Sequence, residues 1–374
     1  MNNKTKILLL ADANSSHTFK WSTALHDRGF EISIFTLNSF NNDLYENYNS
    51  IKIIESIISK KIINSKKKKF LKLSYLNTLK KLKKTIRELK PDIVHAHYAS
   101  SYGLLGALTK FHPYVLSVWG SDVFDFPRKS FVHKTILKYN LQTADKILST
   151  SFFMADETKK YTSKKIEVTP FGIDTSVFKP MSTQSIFNEN DIVIGTIKTL
   201  EEKYGIAYLI KTFSIIKKKL PSLPLRLLIV GGGSLEQELK KLCKELNIIN
   251  DAIFTGLISY NKIMDYYNML DIYVALSIND SESFGVAILE ASACEKPVVV
   301  SNIGGLPEVV DNNITGFIVQ PKNENEAADA IIKLIQDETL RKSFGKQGRE
   351  KVKKHFEWNE NVNQMINIYK ELLK

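Results

Sequence analysis

The sequence is poor in cysteine and lacks any long apolar run. Cys243 and Cys294 are the only cysteines among 374 residues, which is typical of a protein with reduced, buried thiols and excludes a disulfide framework. No Cys or His cluster has the spacing of a zinc site. No stretch of 18 apolar residues could span a bilayer, and Ile7–Leu10 is too short for a signal peptide. We therefore predict a cytoplasmic protein without a metal site.

Acidic residues are scarce in one segment of the first half. Residues 60–90 contain thirteen Lys or Arg and one acid, Glu88, so this segment alone equals the formal net charge of +12. Apolar residues recur there at spacings of four and three: Tyr75, Leu79, Leu82, Ile86 and Leu89. This spacing predicts a helix with one apolar stripe and basic other faces. Those faces are either solvated or bind the anionic inner face of the cell membrane. No nucleic-acid motif accompanies them, so we expect no nucleic-acid partner.

What is present is an alternation of short strands and helices. Apolar runs of four to seven residues begin at Thr5–Leu10 and are separated by helix-like segments, which is the pattern of parallel βαβ units. The alternation pauses after Thr169, in a stretch rich in Ser, Thr, Asn and Pro, and resumes at Asp191–Ile197. We therefore predict an α/β protein with two doubly wound, Rossmann-like domains, residues 1–180 and 181–355. A last helix, in residues 356–374, should pack back on the first domain.

Open parallel sheets bind their ligands beyond the carboxyl ends of the strands, where the strand order reverses. Two such edges facing each other would form a cleft that excludes water while a group moves between two substrates. We therefore expect the functional residues at strand ends.

The strongest motif is E-S-F-G-V-A-I-L-E at 282–290, which follows the predicted strand Ile272–Ala275. We predict that it opens a helix over Phe284–Ala293, whose first amides and dipole favour an anion such as a diphosphate. Gly285 lets the backbone approach closely. Glu282 and Glu290, about 9–10 Å apart along a helix, could reach opposite ends of a sugar nucleotide. The alternative is that Glu282 caps the helix and Glu290 is solvated.

Three neighbouring segments could add to this anion site. Gly232 lies in the three-glycine turn 231–233, between a predicted strand and helix. A pair of glycines, Gly304–Gly305, follows a later strand. Lys198 and Lys203 follow the first strand of the second domain, where cations would neutralise the growing charge of a leaving diphosphate. Each segment also has a plainer explanation, a tight turn for the glycines and surface exposure for the lysines.

Further runs complete the pattern: F-T-G-L at 254–257, D-I-Y-V-A-L-S at 271–277, A-C-E-K-P-V-V-V at 293–300, G-G-L-P-E-V-V at 304–310 and T-G-F-I-V at 315–319. With the E-x7-E element, they resemble the C-terminal half of family-4 retaining glycosyltransferases of the GT-B fold. The resemblance is densest over 190–335 and looser over the first half. It implies transfer of a hexose or N-acetylhexosamine from a nucleotide-diphosphate sugar, with a UDP-sugar favoured. The acceptor would be a glycan or a lipid-linked molecule in surface polysaccharide assembly.

The resemblance implies a role for each matching residue of the second domain. Glu282 would bind hydroxyls of the donor sugar at the catalytic centre, and Glu290 would bind the ribose. Lys203 matches the phosphate-binding lysine of the family, whereas Lys198 stands where an arginine is common, so the charge is kept and the planar fork is lost. The complete donor-binding set is Lys198, Lys203, Gly232, Gly256, Leu257, Ser283, Phe284, Gly285, Val286 and Glu290. The backbone of 283–286 would hold the diphosphate, and that of 255–257 the base.

The first domain, which would bind the acceptor, departs from the family pattern. The Gly-Gly pair that many relatives have after the first strand is replaced by N-S-S-H at 14–17, and a histidine common before Gly-x-Asp is Trp119. An indole cannot accept a hydrogen bond or a proton. His97 and Asp122, at strand ends, are therefore candidate catalytic residues, although packing explains His97 equally well. His17 and Trp119 are candidates on the acceptor side, and His95 is expected in the core.

The resemblance also implies a mechanism. The family lacks a well-placed nucleophile, which favours a same-face displacement, in which the leaving phosphate helps to deprotonate the acceptor, over a covalent carboxylate intermediate. Catalysis then depends on positioning and charge stabilisation. No Asp-x-Asp motif is present, so we expect no metal and no cofactor besides the nucleotide-sugar co-substrate.

Alternatives of other classes are a nucleotide-sugar 2-epimerase of the same fold and a non-catalytic donor-binding subunit, which the missing histidine at 119 suggests. A nucleotide-cofactor dehydrogenase is least favoured. Its Gly-x-Gly-x-x-Gly motif does not follow Ile7–Leu10.

Overall fold

The computed structural model describes residues 4–57, 68–259 and 262–374. The chain divides into two compact units. The first unit runs to Thr169 and also contains Val362–Lys374, and the second is Pro170–Asn361. Each unit is built on a parallel sheet of its own, so the predicted α/β class is confirmed.

In the described part of the first unit, seven strands form one sheet in the order β3-β2-β1-β4-β5-β6-β7. The strands are β1 (Lys6–Leu10), β2 (Glu31–Thr36), β3 (Lys52–Glu55), β4 (Ile93–His97), β5 (Tyr114–Val118), β6 (Lys146–Ser149) and β7 (Ile166–Val168). All their pairings are parallel. Every residue of β4 and β5 is buried, as expected for strands covered on both faces. The order reverses between β1 and β4, so this is the switch point.

Helices connect these strands and cover the sheet. They span Ser16–Asp27, Lys68–Leu89, Ser101–Thr109, Ser121–Phe124, Phe131–Thr143 and Phe152–Lys159, with 3-10 turns at Asn42–Tyr45 and Pro127–Lys129. The core between sheet and helices includes Leu8, Val94, Leu116 and Phe124. This layered arrangement buries the apolar strand faces that the sequence pattern predicts.

The helix predicted in the basic segment is confirmed as Lys68–Leu89. Its apolar stripe faces the core, because Leu82 is fully buried and the other four stripe residues pack against the same cluster. Residues 60–67 of the segment lie outside the described residues. Over the part of the chain that the structure describes, no helix is both long enough and apolar enough to cross a membrane.

The second unit repeats the architecture with six strands among its described residues, in the order β10-β9-β8-β11-β12-β13. The strands are β8 (Ile192–Ile197), β9 (Leu225–Val230), β10 (Ala252–Phe254), β11 (Ile272–Ala275), β12 (Val298–Ser301) and β13 (Gly316–Val319). The order reverses between β8 and β11. The carboxyl ends of these two strands therefore define the expected binding edge of the second sheet.

Helices again lie between the strands of the second unit. They span Ile206–Lys219, Glu236–Glu245, Ile263–Met269, Val286–Ala293, Leu306–Val309, Glu324–Gln336, Glu338–His355 and Trp358–Leu372, with 3-10 turns at Glu202–Tyr204 and Ile249–Asp251. The last of these helices ends in the first unit. The core includes Leu209, Phe213, Leu227 and Ile331.

The boundaries of the units differ from the predicted ones. The first falls after Thr169 and not at 180, because the following segment packs into the second unit. The ring of Phe171 lies 6.3 Å from that of Phe284, and Phe178 lies 6.0 Å from Tyr267. The second boundary falls after 361 and not at 355.

The end of the last helix belongs to the first unit, as the predicted return of this helix requires. The hydroxyl of Tyr369 lies 2.7 Å from Nδ1 of His95. The Gln364 amide donates to the carbonyl of Val168 at 2.9 Å.

The sequence pattern does not predict β3 and β13. Both strands have four residues and lie at the edge of a sheet. Their side chains are partly exposed, so the apolar run that marks a central strand is weak in them. The helix predicted over 260–269 is described from Ile263 onwards, and residues 260 and 261 lie outside the described residues.

Candidate active site

Loops at the carboxyl edge of the second sheet are tied to one another by backbone hydrogen bonds. The amide of Ile278, in the loop after β11, donates to the carbonyl of Lys203, in the loop after β8, at 2.9 Å. The amide of Gly305, in the loop after β12, donates to the carbonyl of Glu282 at 2.9 Å. The switch point of the second unit therefore carries an ordered surface formed by three loops.

Lys198 and Glu282 form an ion pair on this surface. Nζ of Lys198 lies 2.9 Å from Oε1 of Glu282, and the two side chains are 21% and 11% exposed. Burial by itself would lower the pKa of Lys198, but the charge of Glu282 and the phenols of Tyr273 and Tyr204 outweigh burial, so its pKa is raised. Lys198 therefore carries its charge at neutral pH. The structure thus brings together a residue predicted for the phosphates and one predicted for the sugar.

The second predicted phosphate lysine lies close by. Nζ of Lys203 lies 4.7 Å from the ring centroid of Tyr204, and Nζ of Lys198 lies 4.4 Å from the same centroid. The electron-rich face of a tyrosine ring stabilises a nearby cation. The ring of Tyr204 therefore stabilises the ammonium groups of both lysines beside the switch point. A diphosphate could contact both of them there.

The helix after Glu282 begins later than predicted. Its first helical residue is Val286, and Gly285 precedes it with φ +100° and ψ 47°, a left-handed conformation that favours glycine. Phe284 is buried and its ring lies 5.7 Å from that of Phe356, so this side chain anchors the loop. Glu282 therefore lies before the helix and does not cap it, and the 9–10 Å spacing expected from a continuous helix to Glu290 does not apply.

Glu290 is on the second turn of this helix and is 8% exposed. The hydroxyl of Tyr267 donates to its Oε2 at 2.7 Å. Burial and the charge of Glu290 raise the pKa of Tyr267 well above its ordinary value, so the phenol stays protonated. The alternative of a solvated Glu290 is therefore wrong, since the carboxylate is held in place by a buried donor.

Gly304 and Gly305 allow two loops to pack backbone against backbone. A Cβ added at Gly304, which has φ +56°, would lie 2.1 Å from the carbonyl oxygen of Glu282. A Cβ at Gly305 would lie 2.2 Å from the carbonyl oxygen of Ser283. Both glycines are thus required to place the backbone of 282–283, and this contact explains them without a ligand.

The glycine turn after β9 packs in the same way. A Cβ at Gly231, which has φ +132°, would lie 2.1 Å from the carbonyl oxygen of Lys198. After this turn, the backbone amide of Ser234 donates to Oε1 of Glu201 at 2.9 Å. This hydrogen bond and a second one from the Ser234 hydroxyl lower the pKa of Glu201. The turn therefore supports the loop of Lys198. The backbone amide of Ser234 already donates to a carboxylate of the protein, that of Glu201.

Gly232, Gly256 and Leu257 lie together at the ends of β9 and β10. The Gly256 carbonyl accepts from the amide of Gly231 at 3.0 Å. Leu257 is 86% exposed, and its Cγ would lie 3.0 Å from a Cβ added at Gly232. The structure thus brings these three predicted residues together, with an exposed apolar side chain beside flat glycine backbone, a surface suited to a planar ring.

In the first unit, three predicted residues form an aromatic cluster: His97 ends β4, Trp119 follows β5, and His17 lies in the first turn of the helix after β1. The ring of His97 lies 4.3 Å from that of Trp119, and the ring of His17 lies 5.8 Å from Trp119. His97 is 3% exposed, and within the described residues its Nδ1 has no hydrogen-bond partner.

Both imidazoles of this cluster are neutral at pH 7. Burial, and then the charges of His95 and His17, keep the pKa of His97 well below 6.5. Burial and then Lys20 lower the pKa of His17 to about 4.

His95 is a core residue, as expected. Its Nδ1 lies 2.7 Å from the hydroxyl of Tyr369 and its Nε2 lies 2.7 Å from that of Ser117. Burial lowers its pKa to about 3. Both nitrogens are engaged within the protein, so His95 holds β4, β5 and the last helix together.

The environment of Asp122 does not match the catalytic role predicted for it. It is 1% exposed, and its carboxylate accepts from the amides of Ala99 at 2.6 Å, Gly120 at 2.8 Å and Trp119 at 3.2 Å. Burial raises its pKa and these amides counteract the increase. The geometry makes Asp122 a structural residue that fixes the loops after β4 and β5, and thereby the position of Trp119.

Three tyrosines were missed by sequence reasoning. The ring of Tyr204 lies near the ammonium groups of both lysines, Tyr267 anchors Glu290, and the ring of Tyr98 lies 5.6 Å from that of Trp119. Tyr204 and Tyr98 directly follow predicted site residues in the sequence, so adjacency was a usable signal. Tyr267 lies on a different helix, and no local pattern indicates its contact.

The second unit therefore offers two lysines, two fixed glutamates and a helix N-terminus at the switch point of a Rossmann-like sheet. Across residues 4–57, 68–259 and 262–374, no group of three or more His, Cys, Asp or Glu side chains could hold a metal ion. The fold and this arrangement define a two-unit α/β protein with a candidate anion site at the edge of its second sheet.

Comparison with known families agrees with this description. Residues 178–351 match the family described as Glycosyl transferases group 1, and residues 6–151 match the family described as Glycosyl transferase 4-like. Together the two matches cover most of both units. The chain belongs to the group 1 glycosyltransferases, which confirms the resemblance found in the sequence.

Individual relatives extend along the whole chain. An uncharacterized glycosyltransferase of Methanocaldococcus jannaschii is 27% identical over 349 residues, which are 92% of this chain and 91% of that protein. Among solved structures, the sucrose-phosphate synthase of Thermosynechococcus elongatus aligns with a TM-score of 0.84 at 21% identity, over 99% of each chain. Anabaena HepE, in complex with UDP and glucose, aligns with a TM-score of 0.80 at 18% identity, over 98% of this chain and all of its own. These two structures show that the GT-B fold is shared.

Proposed function

We propose that the protein is a retaining hexosyltransferase. It would move a hexose or N-acetylhexosamine from a nucleotide-diphosphate sugar, with a UDP-sugar favoured, to a glycan or lipid-linked acceptor in surface polysaccharide assembly. The observation that carries the proposal is the pairing of Lys198 with Glu282 at the switch point of the second sheet, beside Lys203. The UDP bound to Anabaena HepE supports the choice of base.

In this proposal the second unit binds the donor. Lys198 and Lys203 contact the diphosphate, which also meets the first amides of the helix that begins at Val286. Glu282, held by Lys198, accepts hydrogen bonds from hydroxyls of the sugar. Glu290 accepts hydrogen bonds from the ribose. This assignment accounts for the half-buried Glu282 and the buried Glu290, each of which is fixed by a different partner.

Transfer then proceeds on one face of the sugar. The bond between C1 and the phosphate oxygen breaks, the acceptor oxygen bonds to C1 from the same side, and the acceptor proton passes to the leaving phosphate. The configuration at C1 is retained. The charge that grows on the phosphate is stabilised by the two lysines, so that the protein acts by positioning and electrostatics. We propose that this chemistry uses no metal and no further cofactor.

The acceptor would meet the aromatic cluster of the first unit. The imidazole of His97 is neutral and its Nδ1 has no partner among the described residues, so it can exchange a hydrogen bond with a hydroxyl. Trp119 packs on that ring and offers an aromatic face of the kind that sugars contact. Asp122 takes part only by holding the loop of Trp119.

The proposal is tested by NMR of the purified protein with UDP-glucose or UDP-N-acetylglucosamine, with water as the acceptor. We expect slow release of UDP, with the sugar appearing first as the α-anomer before it mutarotates. Glu282→Gln should reduce the rate by about 10² or more, because the carboxylate that orients the sugar is lost.

Other outcomes would each contradict a part of the proposal. Appearance of the β-anomer first would exclude retention. A new sugar nucleotide without release of UDP would indicate an epimerase. Donor binding without turnover would indicate a donor-binding subunit.

We further propose that the first unit docks on an anionic membrane. Helix Lys68–Leu89 and the end of the following helix enclose a groove of about 640 Å³. Its lining includes five cationic side chains and one aromatic ring: Lys80, Lys83, Lys84, Arg87, Lys110 and Phe111. The five cations are exposed, and clustered lysines and arginines attract acidic lipid headgroups.

Flotation with phosphatidylcholine vesicles, with and without phosphatidylglycerol, tests the docking. We expect binding only to the acidic vesicles. Replacement of Lys80, Lys83, Lys84 and Arg87 by Gln should weaken it at least roughly tenfold, because each cation adds to the attraction. A control with Gln at four exposed lysines of the second unit, Lys241, Lys244, Lys342 and Lys346, should bind as the wild type does. Equal binding to both vesicles, or an equal loss in the control, would refute a specific docking face.

A further inference from the structure

Glu290 and Tyr267 form a buried polar pair that links two helices of the second unit. The phenol donates to Oε2 of the carboxylate at 2.7 Å. Tyr267 is fully buried and Glu290 is 8% exposed. The carboxylate thus lies at the edge of the interior, and its Oε2 is held by the phenol.

The phenol has no room to turn away from Glu290. Its ring lies 6.0 Å from the ring of Phe178 and 6.0 Å from that of Tyr273, and both of these residues are fully buried. A tyrosine has one hydroxyl proton to donate, and this one is given to Glu290. The packing of the ring therefore fixes the direction of the hydrogen bond.

We propose that Tyr267 is a positioning residue that orients the Glu290 carboxylate and thereby determines the preference of the site for a ribose with its hydroxyls. This inference rests on the proposed function, in which Glu290 contacts the ribose. Tyr267 itself touches no substrate and acts only through Glu290.

The physical reason lies in the torsions of a glutamate. The last torsion of its side chain is broad, so an unanchored carboxylate can present its oxygens at many angles. A hydrogen bond between a neutral donor and a buried charge is worth more than an ordinary one. Anchoring Oε2 therefore restricts the angles at which the carboxylate can meet two neighbouring hydroxyls. Removal of the phenolic oxygen should relax that angle and leave the charge in place.

The experiment compares UDP with 2′,3′-dideoxy-UDP by isothermal titration of the full chain. Wild type should bind UDP more tightly than the dideoxy nucleotide. Tyr267→Phe should weaken UDP binding by roughly tenfold, about the effect of one lost hydrogen bond to a charged group. The same variant should bind the dideoxy nucleotide as the wild type does, because that ligand has no hydroxyls for Glu290 to recognise.

Two control variants separate positioning from folding. Tyr114→Phe removes another buried phenol, which donates to the carbonyl of Gly103 at 3.0 Å in the first unit, and should leave both titrations unchanged. Combining Tyr267→Phe with Glu290→Gln should weaken UDP binding no further than Glu290→Gln alone, since Tyr267 acts through Glu290. Thermal unfolding of each variant shows that it is folded at the temperature of the titration.

The outcomes distinguish the inference from the proposed function. If wild type binds neither nucleotide, the proposed function fails and the inference fails with it. If wild type binds both equally, Glu290 does not recognise the ribose; the inference and the assignment of Glu290 are then overturned, whereas the proposed sugar transfer is not. If Tyr267→Phe weakens both nucleotides to the same extent, the role of Tyr267 is only structural, which also overturns the inference.

Discussion

Glu282 and Glu290 are held by chemically different partners. Glu282 pairs with the ammonium of Lys198 at 2.9 Å, whereas Glu290 accepts from the neutral phenol of Tyr267. An ammonium has three donors, so Lys198 can keep its contact with Glu282 while it binds a phosphate oxygen. A phenol has one, so Tyr267 can serve Glu290 alone. The Lys198–Glu282 pair is therefore suited to binding a charged phosphate, because Lys198 has donors to spare. The Tyr267–Glu290 pair is suited to holding one carboxylate in a fixed orientation.

Buried histidines of the first unit should make its stability depend on pH. Burial lowers the pKa of His95 to about 3, against 6.5 in the unfolded chain. Between these values the unfolded state binds one proton more than the native state does, so stability is full above pH 6.5 and falls as the pH falls. A histidine that stays neutral in the native state contributes a slope of about 1.4 kcal/mol per pH unit in that window.

Chemical unfolding at several pH values between 6.5 and 5 measures this slope. The probe must report on the first unit, so that the free energy of unfolding of that unit is obtained at each pH. His95→Gln should make the slope shallower by about 1.4 kcal/mol per pH unit, since the glutamine does not titrate. The assignment fails if wild type and His95→Gln lose stability in parallel.

At the scale of single elements, periodicity predicts the central strands and the long helices well. Strands such as β4 and β5 are buried on both faces, which gives them a continuous apolar run in the sequence. The edge strands β3 and β13 are four residues long and partly exposed. They have too little apolar surface to be distinguished from a loop.

The start of the helix at Val286 depends on tertiary contacts that the sequence does not display. Gly285 adopts a left-handed conformation and is enclosed by the side chains of Ile288 and Leu306 at 3.0 Å each from an added Cβ. Sequence reasoning identified the segment and its two glutamates but placed the helix start two residues too early. It also left open whether Gly304 serves a ligand, and the close approach to the Glu282 carbonyl explains that glycine by packing.

The candidate site itself was predictable only in part, for the same reason. Residues that lie within a motif, such as Glu282 and Glu290, were found because the motif has a recognisable pattern. Tyr267 was not found because its contact joins residues 23 positions apart on separate helices. In the basic groove, Lys110 and Phe111 come from outside the basic helix, so the amphipathic stripe could not indicate them.

For the molecule as a whole, the two halves of the sequence differ in charge. Residues 1–180 carry 29 basic and 15 acidic side chains, so the excess positive charge of the chain lies in that half. We nonetheless propose that the nucleotide diphosphate binds to the second unit, where the positions of Lys198 and Lys203 matter more than the total charge. The basic first half is instead suited to an extended anionic surface.

The architecture of two doubly wound units followed from the alternation of elements, but the boundary between them did not. The segment after Thr169 has the composition of a linker, yet Phe171 and Phe178 pack into the second unit. Turn-forming residues indicate where regular structure stops. They do not indicate which core the flanking aromatic side chains join.

Titration of UDP into the wild-type protein and into Lys198→Gln tests the central claim most directly, because it measures whether the cations at the second switch point bind a nucleotide diphosphate. Lys346→Gln, an exposed lysine of the same unit, is the matched control. We predict saturable binding by wild type and by the control, and binding at least roughly tenfold weaker by Lys198→Gln, since a contact between opposite charges is lost. Equal affinity of all three proteins, or no binding by wild type, would contradict the account.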